Sequence, residues 1–600
     1  MERSLRHILL LAAVAAGLAA LFFLPVLWND FVDLDDFLLI VNNPAVQELS
    51  HRSMRRIFTS YDPELYIPFT LLSYQIEHAL FGFTPAVFHL TSLVLHALNT
   101  ALVFAAAYLL SARRKWAAFA CALLFALHPL QVEAVAWASA RKDVLSAFFF
   151  LLSLTLYLWS EGSGKKNVRW ASIATFAGGL LSKASVLPLP VILFAYLWKE
   201  RKLSRASAQR LIPYVALSAL FFLIALGGKT RNISSLPAWQ QLLLFFKGIA
   251  FSLQKAFLPW PLVPLYQQPA AMEPLAPDYL VPLLLVPALA LALFFLRKNR
   301  SLVFGAAFFF LLFLPSAATF MRNGMVFYFS DRYTYLALIG IFFPAGLAAD
   351  RLYAGLRGNA RKVALGAGVA AIAALGFLTL RQQRVWESSE TLYLHTVRIH
   401  PGSMAYANLS ILLYNEGKKE EAKAILAKAI AFAPEDPRFL PSMALVAEEE
   451  GNVPEALEIL RHAAELLDRR PIYSMQDLRP YYQYGELLQR EGRVTESIAV
   501  FEHAVTRAPE LAEPHYNLGL QYQLASQPAK AEPEFARAAE LYRYHLSALY
   551  HLAGVQAEQG KLAEAIATLE RLTSMDPGFE KAQEHLVNLR RMVQLGGSAR

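Results

Sequence analysis

Long apolar runs recur along the first 380 residues of this chain, and the loops between them alternate in charge. The first run, residues 5–27, carries LAAVAAGLAALFFLPVLW behind Arg3, Arg6 and His7. It has about the length needed to cross roughly 30 Å of hydrocarbon. A cleavable signal has a shorter apolar core and a small-residue cleavage site, so this run reads as a retained transmembrane helix. Further runs lie near 87–110, 116–132, 143–160, 169–182, 184–198, 211–227, 278–296, 301–320, 333–350 and 361–380, eleven with the first. The connections SARRK, GKKNVR, KERKLSRASAQR, RKNR and RLYAGLRGNARK carry 18 Lys+Arg. Positive loops stay in the cytoplasm, and eleven spans place every one of these connections there. Residue 381 is then expected outside. Residues 240–258 are apolar enough for a further span, but that span would break the alternation. They also contain Lys247 and Lys255, which are costly in mid-bilayer, and the proline-rich LPWPLVPLYQQP follows. A re-entrant or interfacial helix is expected there.

Composition confirms two solvents. Hydrophobic residues make up 56% and charged residues 17% of the 600, against about 45–50% and about 25% in an ordinary globular domain. Residues 1–380 hold 32 Lys+Arg and 17 Asp+Glu, whereas 381–600 hold 24 and 30. A wholly soluble enzyme, a disordered chain and a collagen-like fibre are excluded. The pI near 9.3 reflects topology and is no nucleic-acid signal. Cys121 is alone, so no internal disulfide forms and a cysteine-based metal site is not expected.

The polar tail repeats. Gly417 and Gly451 are 34 residues apart, and Gly492 and Gly560 are 68 apart with Ser526 midway. Five residues after each comes Ala422, Ala456, Ser497, Ala531 or Ala565. Nine after comes Leu426, Leu460, Phe501, Phe535 or Leu569. Pro434, Pro509 and Pro577 close three units, and a seven-residue insertion around RRPIYSM separates the second from the third. A period of 34 is the signature of the tetratricopeptide repeat. The expected architecture is all-α: a polytopic bundle over 1–380 with an outside loop at 28–86, a connector at 381–402, five repeats over 403–579, and a capping helix and tail at 580–600. The repeat residues are expected to be packing residues. Tyr406, Asn408, Tyr516, Asn517 and Tyr550 are candidates for an acceptor groove.

The chemistry is expected in the outside loops, where ionisable groups sit at the membrane edge. WNDFVDLDDFLLIVNNP packs Asp30, Asp33, Asp35 and Asp36 into seven residues. Crowded carboxylates raise one another's pKa, which suits a base or a metal ligand. HPLQVEAVAWASARKD brings His128, Glu133, Arg141, Lys142 and Asp143. Lys183 stands alone between two apolar runs, and MRNGMVFYFSDRYTY supplies Arg322, Asp331 and Arg332. Acids beside separated cations suit transfer from a lipid-anchored phosphosugar. The cations stabilise the phosphate leaving group, and a carboxylate takes the proton of the acceptor hydroxyl. An ion transporter would more often bury its charges in mid-span and show repeated membrane helices.

FVDLDD with NNPAVQ, YIPFTLLSYQIEHALFGFTPAVFHLTSLVLHALNTALVF, ALLFALHPLQVEAVAWASARKD, LLSKASVLPLPVILFAYLW and SDRYTYL occur in that order. This set resembles membrane glycosyltransferases of the C superfamily. More narrowly, it resembles the transmembrane and tetratricopeptide repeat-containing O-mannosyltransferases. The resemblance implies an inverting transfer from a polyprenyl (undecaprenyl or dolichyl) phosphate sugar to a hydroxyl, with protein Ser or Thr as the natural acceptor and the repeats presenting it. The catalytic acids fall on Asp35 and Asp36, either being the base. His128, Glu133, Arg141, Lys142, Asp143, Lys183, Asp331 and Arg332 fall on the substrate and phosphate site. Ile67 departs from the family, in which many members carry arginine at that place. No cofactor is implied, and a divalent metal such as Mg or Mn is left open. The short loops and Ala/Leu/Arg-rich bundle point to a bacterial inner membrane with the repeats in the periplasm, or to the ER lumen in a eukaryote. The competing expectation is a non-catalytic membrane anchor for a repeat scaffold, against which the intact acidic pair argues.

Overall fold

The structure, a computed structural model, describes all residues except 1, 63–64, 229–236, 268–271, 323–326, 434–435, 471, 473–474, 543–544, 577, 580 and 598–600. Pro434, Pro577 and the side chain of Arg322, named above, lie outside the described residues. The fold is all-α apart from one antiparallel ribbon, in which Tyr266–Gln267 pairs with Phe327–Phe329. The chain forms two compact units. One holds residues 1–49, 65–228 and 238–400, the other 50–64, 229–237 and 401–600.

In the first unit every expected apolar run is helical. Among the described residues, seven helices are long and apolar enough to cross a bilayer by themselves: Leu5–Trp28, Pro85–Leu110, Ala138–Ser163, Arg205–Gly227, Pro277–Phe295, Arg300–Ala317 and Gly358–Trp386. Lys115–Leu127 and Pro129–Ala136 make one more only as a pair bent by 58°. The break falls at His128-Pro129, because proline removes an amide donor and disfavours helical geometry in the residue before it. The runs near 169–182 and 184–198 fall in the helices Lys166–Ser182 and Ala184–Lys199, and the run near 333–350 passes through turns before its helix, Ile339–Gly355, begins; each of these helices has fewer than 18 residues. The chain is an integral membrane protein.

Small residues let these helices touch. A Cβ on Gly305 would lie 2.4 Å from the Gly340 carbonyl, and one on Gly340 would lie 2.3 Å from that of Gly305. Polar glue is local. The Tyr335 hydroxyl lies 2.9 Å from His96 Nδ1 and accepts from Asn99 Nδ2 at 3.1 Å. With little hydrophobic drive between helices in lipid, close packing and such bonds carry the association. Residues 240–257 fall in one continuous helix, Ala238–Phe257. Both of its lysines are buried in protein. The Lys247 ammonium lies 4.5 and 4.4 Å from the Tyr279 and Tyr328 rings, and Lys255 donates to the Pro261 carbonyl at 2.7 Å.

The second unit contains five helix pairs: Ser403–Asn415 with Lys419–Phe432, Leu440–Glu449 with Val453–Asp468, Arg479–Arg490 with Val494–Arg507, Ala512–Leu524 with Pro528–Leu541, and Leu546–Glu558 with Leu562–Met575. Ala582–Gly597 follows them. The turn inside each pair needs a left-handed residue. Gly417, Gly451, Gly492 and Gly560 supply it at φ +75 to +82°, and Ser526 adopts it at +56°. Ala422, Ala456, Ser497, Ala531 and Ala565 are all fully buried. Bulk is matched to space across each pair. Phe501 and Phe535 press on Gly485 and Gly519, where a Cβ would come within 2.4 and 2.7 Å of the ring. Leu426, Leu460 and Leu569 stand at the same position in the other repeats, sixteen residues after Ser410, Ala444 and Ala553. The loop helix His51–Thr59 belongs to this unit too. Its Arg56 lies 3.4 Å from Asp576, and Arg52 lies against Gly578.

Candidate active site

The acid loop hangs from the end of the first span, which closes at Trp28. Asp30 N–H donates to the Glu387 carbonyl at 3.0 Å. Asp33 N–H donates to the Ser389 hydroxyl at 2.8 Å, and the Tyr393 hydroxyl donates to the Asp33 carbonyl. The segment after the last span therefore holds the loop in place.

The two neighbouring acids differ sharply. Asp36 is fully buried. Its Oδ2 accepts from Val32 N–H at 2.9 Å and its Oδ1 from Ser139 N–H at 2.8 Å. Burial pushes its pKa up to about 6, against the lowering effect of those bonds. Both oxygens are occupied, so Asp36 clasps the first outside loop to the second. Asp35 is half-buried and lies within electrostatic reach of Lys142 and Arg332.

The cations come from three places. Lys142 and Asp143 sit in the first turn of helix Arg141–Ser163, just after the Ser139 turn. Lys183 ends helix Lys166–Ser182 and pairs with Asp143 at 2.5 Å. Arg332 lies in the turn Asp331–Thr334, where its guanidinium and the Ser330 hydroxyl both donate to Glu133. Asp331 N–H donates to the other Glu133 oxygen at 2.8 Å. Lys142, Lys183 and Arg332 lie within electrostatic reach of one another. Trp137 floors the group: Arg332 sits 4.6 Å and Lys142 5.8 Å from its ring, and Trp386 stacks behind it at 5.7 Å. Burial and the nearby Glu133 carboxylate push Asp331 well above the usual carboxylate range, and its Oδ1 accepts from the Tyr266 hydroxyl at 3.1 Å.

The expected residues thus divide. Asp35, Glu133, Lys142, Asp143, Lys183 and Arg332 converge. Arg141 faces elsewhere: its wholly buried guanidinium pairs with Glu77 at 2.7 Å, donates to the Phe88 carbonyl at 2.7 Å and lies over the Tyr74 ring. His128 is also engaged. Its Nδ1 accepts from Leu130 N–H at 3.3 Å, which leaves Nε2–H facing the Ala256 carbonyl at 3.1 Å. Both are braces. Ile67, at the family's arginine position, is buried. Tyr406, Tyr516 and Tyr550 are half-buried and pack into the repeat interior, while Asn408 and Asn517 are half-buried beside them. Among the described residues no three His, Cys, Asp or Glu side chains form a metal-holding group. Trp137, Ser139 and Tyr393 escaped sequence reasoning. The one signal for Trp137 is its place in AWASARKD.

Tetratricopeptide repeat family models match residues 405–436, 478–511 and 523–587. The chain is similar to Protein O-mannosyl-transferase TMTC1 of Mus musculus, 33% identical over 162 residues, which are 26% of this chain and 17% of that protein. It is similar to Protein O-mannosyl-transferase TMTC2 of Homo sapiens, 40% identical over 93 residues, 16% and 11% of the two chains. It is also similar to Protein O-mannosyl-transferase Tmtc2 of Drosophila melanogaster, 30% identical over 215 residues, 32% and 23%. The matched part spans less than a quarter of each relative's length. These matches bear out the resemblance stated from the sequence.

Proposed function

We propose that this protein is an inverting glycosyltransferase that moves a sugar from a polyprenyl-phosphate donor to a Ser or Thr hydroxyl of a protein, on the side of the membrane opposite its Lys/Arg-rich loops. In a bacterium that side is the periplasm, and in a eukaryote the ER lumen. The observation that carries the reading is one partly exposed carboxylate, Asp35, within electrostatic reach of buried Lys142 and of Arg332, with Lys183 beside them.

In this account the donor's phosphate lies against Lys142, Lys183 and Arg332. Asp143 orients Lys183, and Glu133 orients Arg332. The acceptor oxygen attacks the anomeric carbon from the face opposite the phosphate. The bond between that carbon and the phosphate oxygen breaks, its electron pair leaves with the lipid phosphate, and the hydroxyl proton passes to Asp35. Fixed cations stabilise the charge that gathers on the leaving phosphate without reorganising. Asp36 supports the loop, since it is wholly buried and accepts a backbone N–H on each oxygen. The relatives' name, protein O-mannosyl-transferase, supports the reaction class, and the mannosyl group is the donor sugar proposed here.

The test uses the purified chain in nanodiscs with a polyprenyl-phosphate mannose donor and a Ser/Thr-rich acceptor peptide. General-base catalysis contributes roughly 10²–10⁴-fold, so Asp35→Asn is expected to lose about that much transfer at an unchanged melting temperature. Wild-type transfer by that variant would remove Asp35 as the base.

A further inference from the structure

Three tyrosines recur at the 34-residue period on the first helices of the last three repeats: Tyr482, Tyr516 and Tyr550. Beside Tyr482 and His545 lies a carboxylate, Glu513, with no Lys or Arg within ion-pair distance among the described residues. Glu513 is half-buried, and its one close charged or imidazole neighbour among the described residues is His545, whose Nε2 stands 3.7 Å away. That distance is too long for a hydrogen bond. His545 Nδ1 accepts from Ala548 N–H at 3.3 Å, and burial pulls its pKa down to about 4, so the ring is neutral at pH 7. The Tyr516 ring centre lies 4.7 Å from that of His545. Tyr482 feels the Glu513 charge, and its buried hydroxyl has no hydrogen-bond partner among the described residues.

A half-buried carboxylate bears a desolvation cost that only a cation or a set of donors offsets. Here burial raises the Glu513 pKa, and no cation among the described residues lowers it. Tyrosine ring faces attract a cation through their quadrupole. Arg479 stands 34 residues earlier, at the same position of the preceding repeat, partly buried and with no carboxylate acting on it among the described residues. A polybasic segment would be repelled there, while a single basic residue with neutral or acidic neighbours would not.

We propose that Glu513, with Tyr482, Tyr516 and His545, forms a subsite for one lysine or arginine side chain of an extended polypeptide lying along the first helices of the repeats. The ammonium or guanidinium donates to the Glu513 carboxylate between the aromatic rings, and the Tyr482 hydroxyl takes a further hydrogen bond. The subsite selects acceptor polypeptides that carry an isolated basic residue. This deepens the reading of the repeats as the acceptor-binding part of a glycosyltransferase and rests on that reading for its purpose.

Binding is measured on the full chain in nanodiscs by fluorescence anisotropy. The probes are labelled peptides of sequence GSTAXATSG with X as Lys, Ala or Glu. The Lys peptide is expected to bind about tenfold tighter than the Ala peptide, or about 1.4 kcal/mol. Glu513→Gln, close in shape, is expected to abolish that preference at an unchanged melting temperature, and Glu513→Lys to favour the Glu peptide. Equal affinity of the wild type for all three peptides, no binding up to millimolar concentration, or an intact Lys preference in Glu513→Gln would each overturn the subsite. The Asp35→Asn variant is run in parallel. Retained Lys preference in it supports the subsite independently of catalysis. Failure of the catalytic reading would show instead as unaltered sugar transfer by that variant.

Discussion

At the scale of single residues, the decisive contrast is between two adjacent aspartates. Asp36 accepts two backbone N–H groups and is shut away from solvent, whereas Asp35 stays partly exposed beside cations. Removing the Asp36 carboxylate leaves two buried N–H groups without an acceptor, at about 1–3 kcal/mol each. We therefore predict that Asp36→Ala lowers the melting temperature at pH 7. Its pH dependence has a definite sign. Burial lifts the folded pKa from 3.8 to about 6, so the folded state binds more protons than the unfolded chain in that window. The contribution of neutral Asp36 is complete below 3.8 and is lost as pH rises through 6. Thermal melts across this window should show a fall in wild-type stability relative to Asp36→Ala; parallel curves would contradict the clasp. The acidic pair was legible in the sequence, but the choice between its members was not, because it is set by Ser139, 103 residues away. The placement of Arg141 and His128 was hidden for a related reason. Their partners Glu77 and Ala256 come from other helices, and a charged or imidazole side chain beside a motif carries no mark of where it points.

At the scale of elements, the repeats were the most legible part, since five registers agree and each small residue falls inside. The matching of Gly485 and Gly519 to Phe501 and Phe535 adds a constraint that only packing reveals. A Cβ on Gly519 would meet the Phe535 ring at 2.7 Å. Overpacking of this kind costs typically about 1–3 kcal/mol, so Gly519→Ala should lower the melting temperature of the repeats. Adding Phe535→Leu, which recreates the Ala553–Leu569 pairing of the last repeat, should recover most of the loss. Additive losses in the double variant, read by thermal denaturation, would contradict the pairing. Other elements were hidden. The ribbon of Tyr266–Gln267 with Phe327–Phe329 is too short to leave a period-two pattern. Helix His51–Thr59, within the first loop, lies in the repeat unit through Arg56 and Asp576, which local sequence does not announce. The run near 333–350 reads as one apolar stretch although its helix begins only at Ile339, because the apolar turn 335–338 looks like more helix.

At the scale of the whole molecule, the charge split acquires a chemical meaning. Most of the cations among residues 1–380 lie in the loops that label topology. Lys142, Lys183 and Arg332 are different: each lies beside Asp35, Asp143 or Glu133. The net negative charge of residues 381–600 includes Glu513, a carboxylate with no cation acting on it among the described residues. The account joins these as one enzyme, with a membrane site that performs the transfer and a repeat array that selects the protein receiving the sugar. The most direct test is the intact mass of a Ser/Thr-rich acceptor protein co-expressed, in the compartment that holds the acid loop, with the wild-type chain or with Asp35→Asn. The account predicts a hexose mass added by the wild type and absent with Asp35→Asn, both proteins being present at equal level in the membrane. An acceptor of identical mass in both cells, or a hexose that persists with Asp35→Asn, would contradict it.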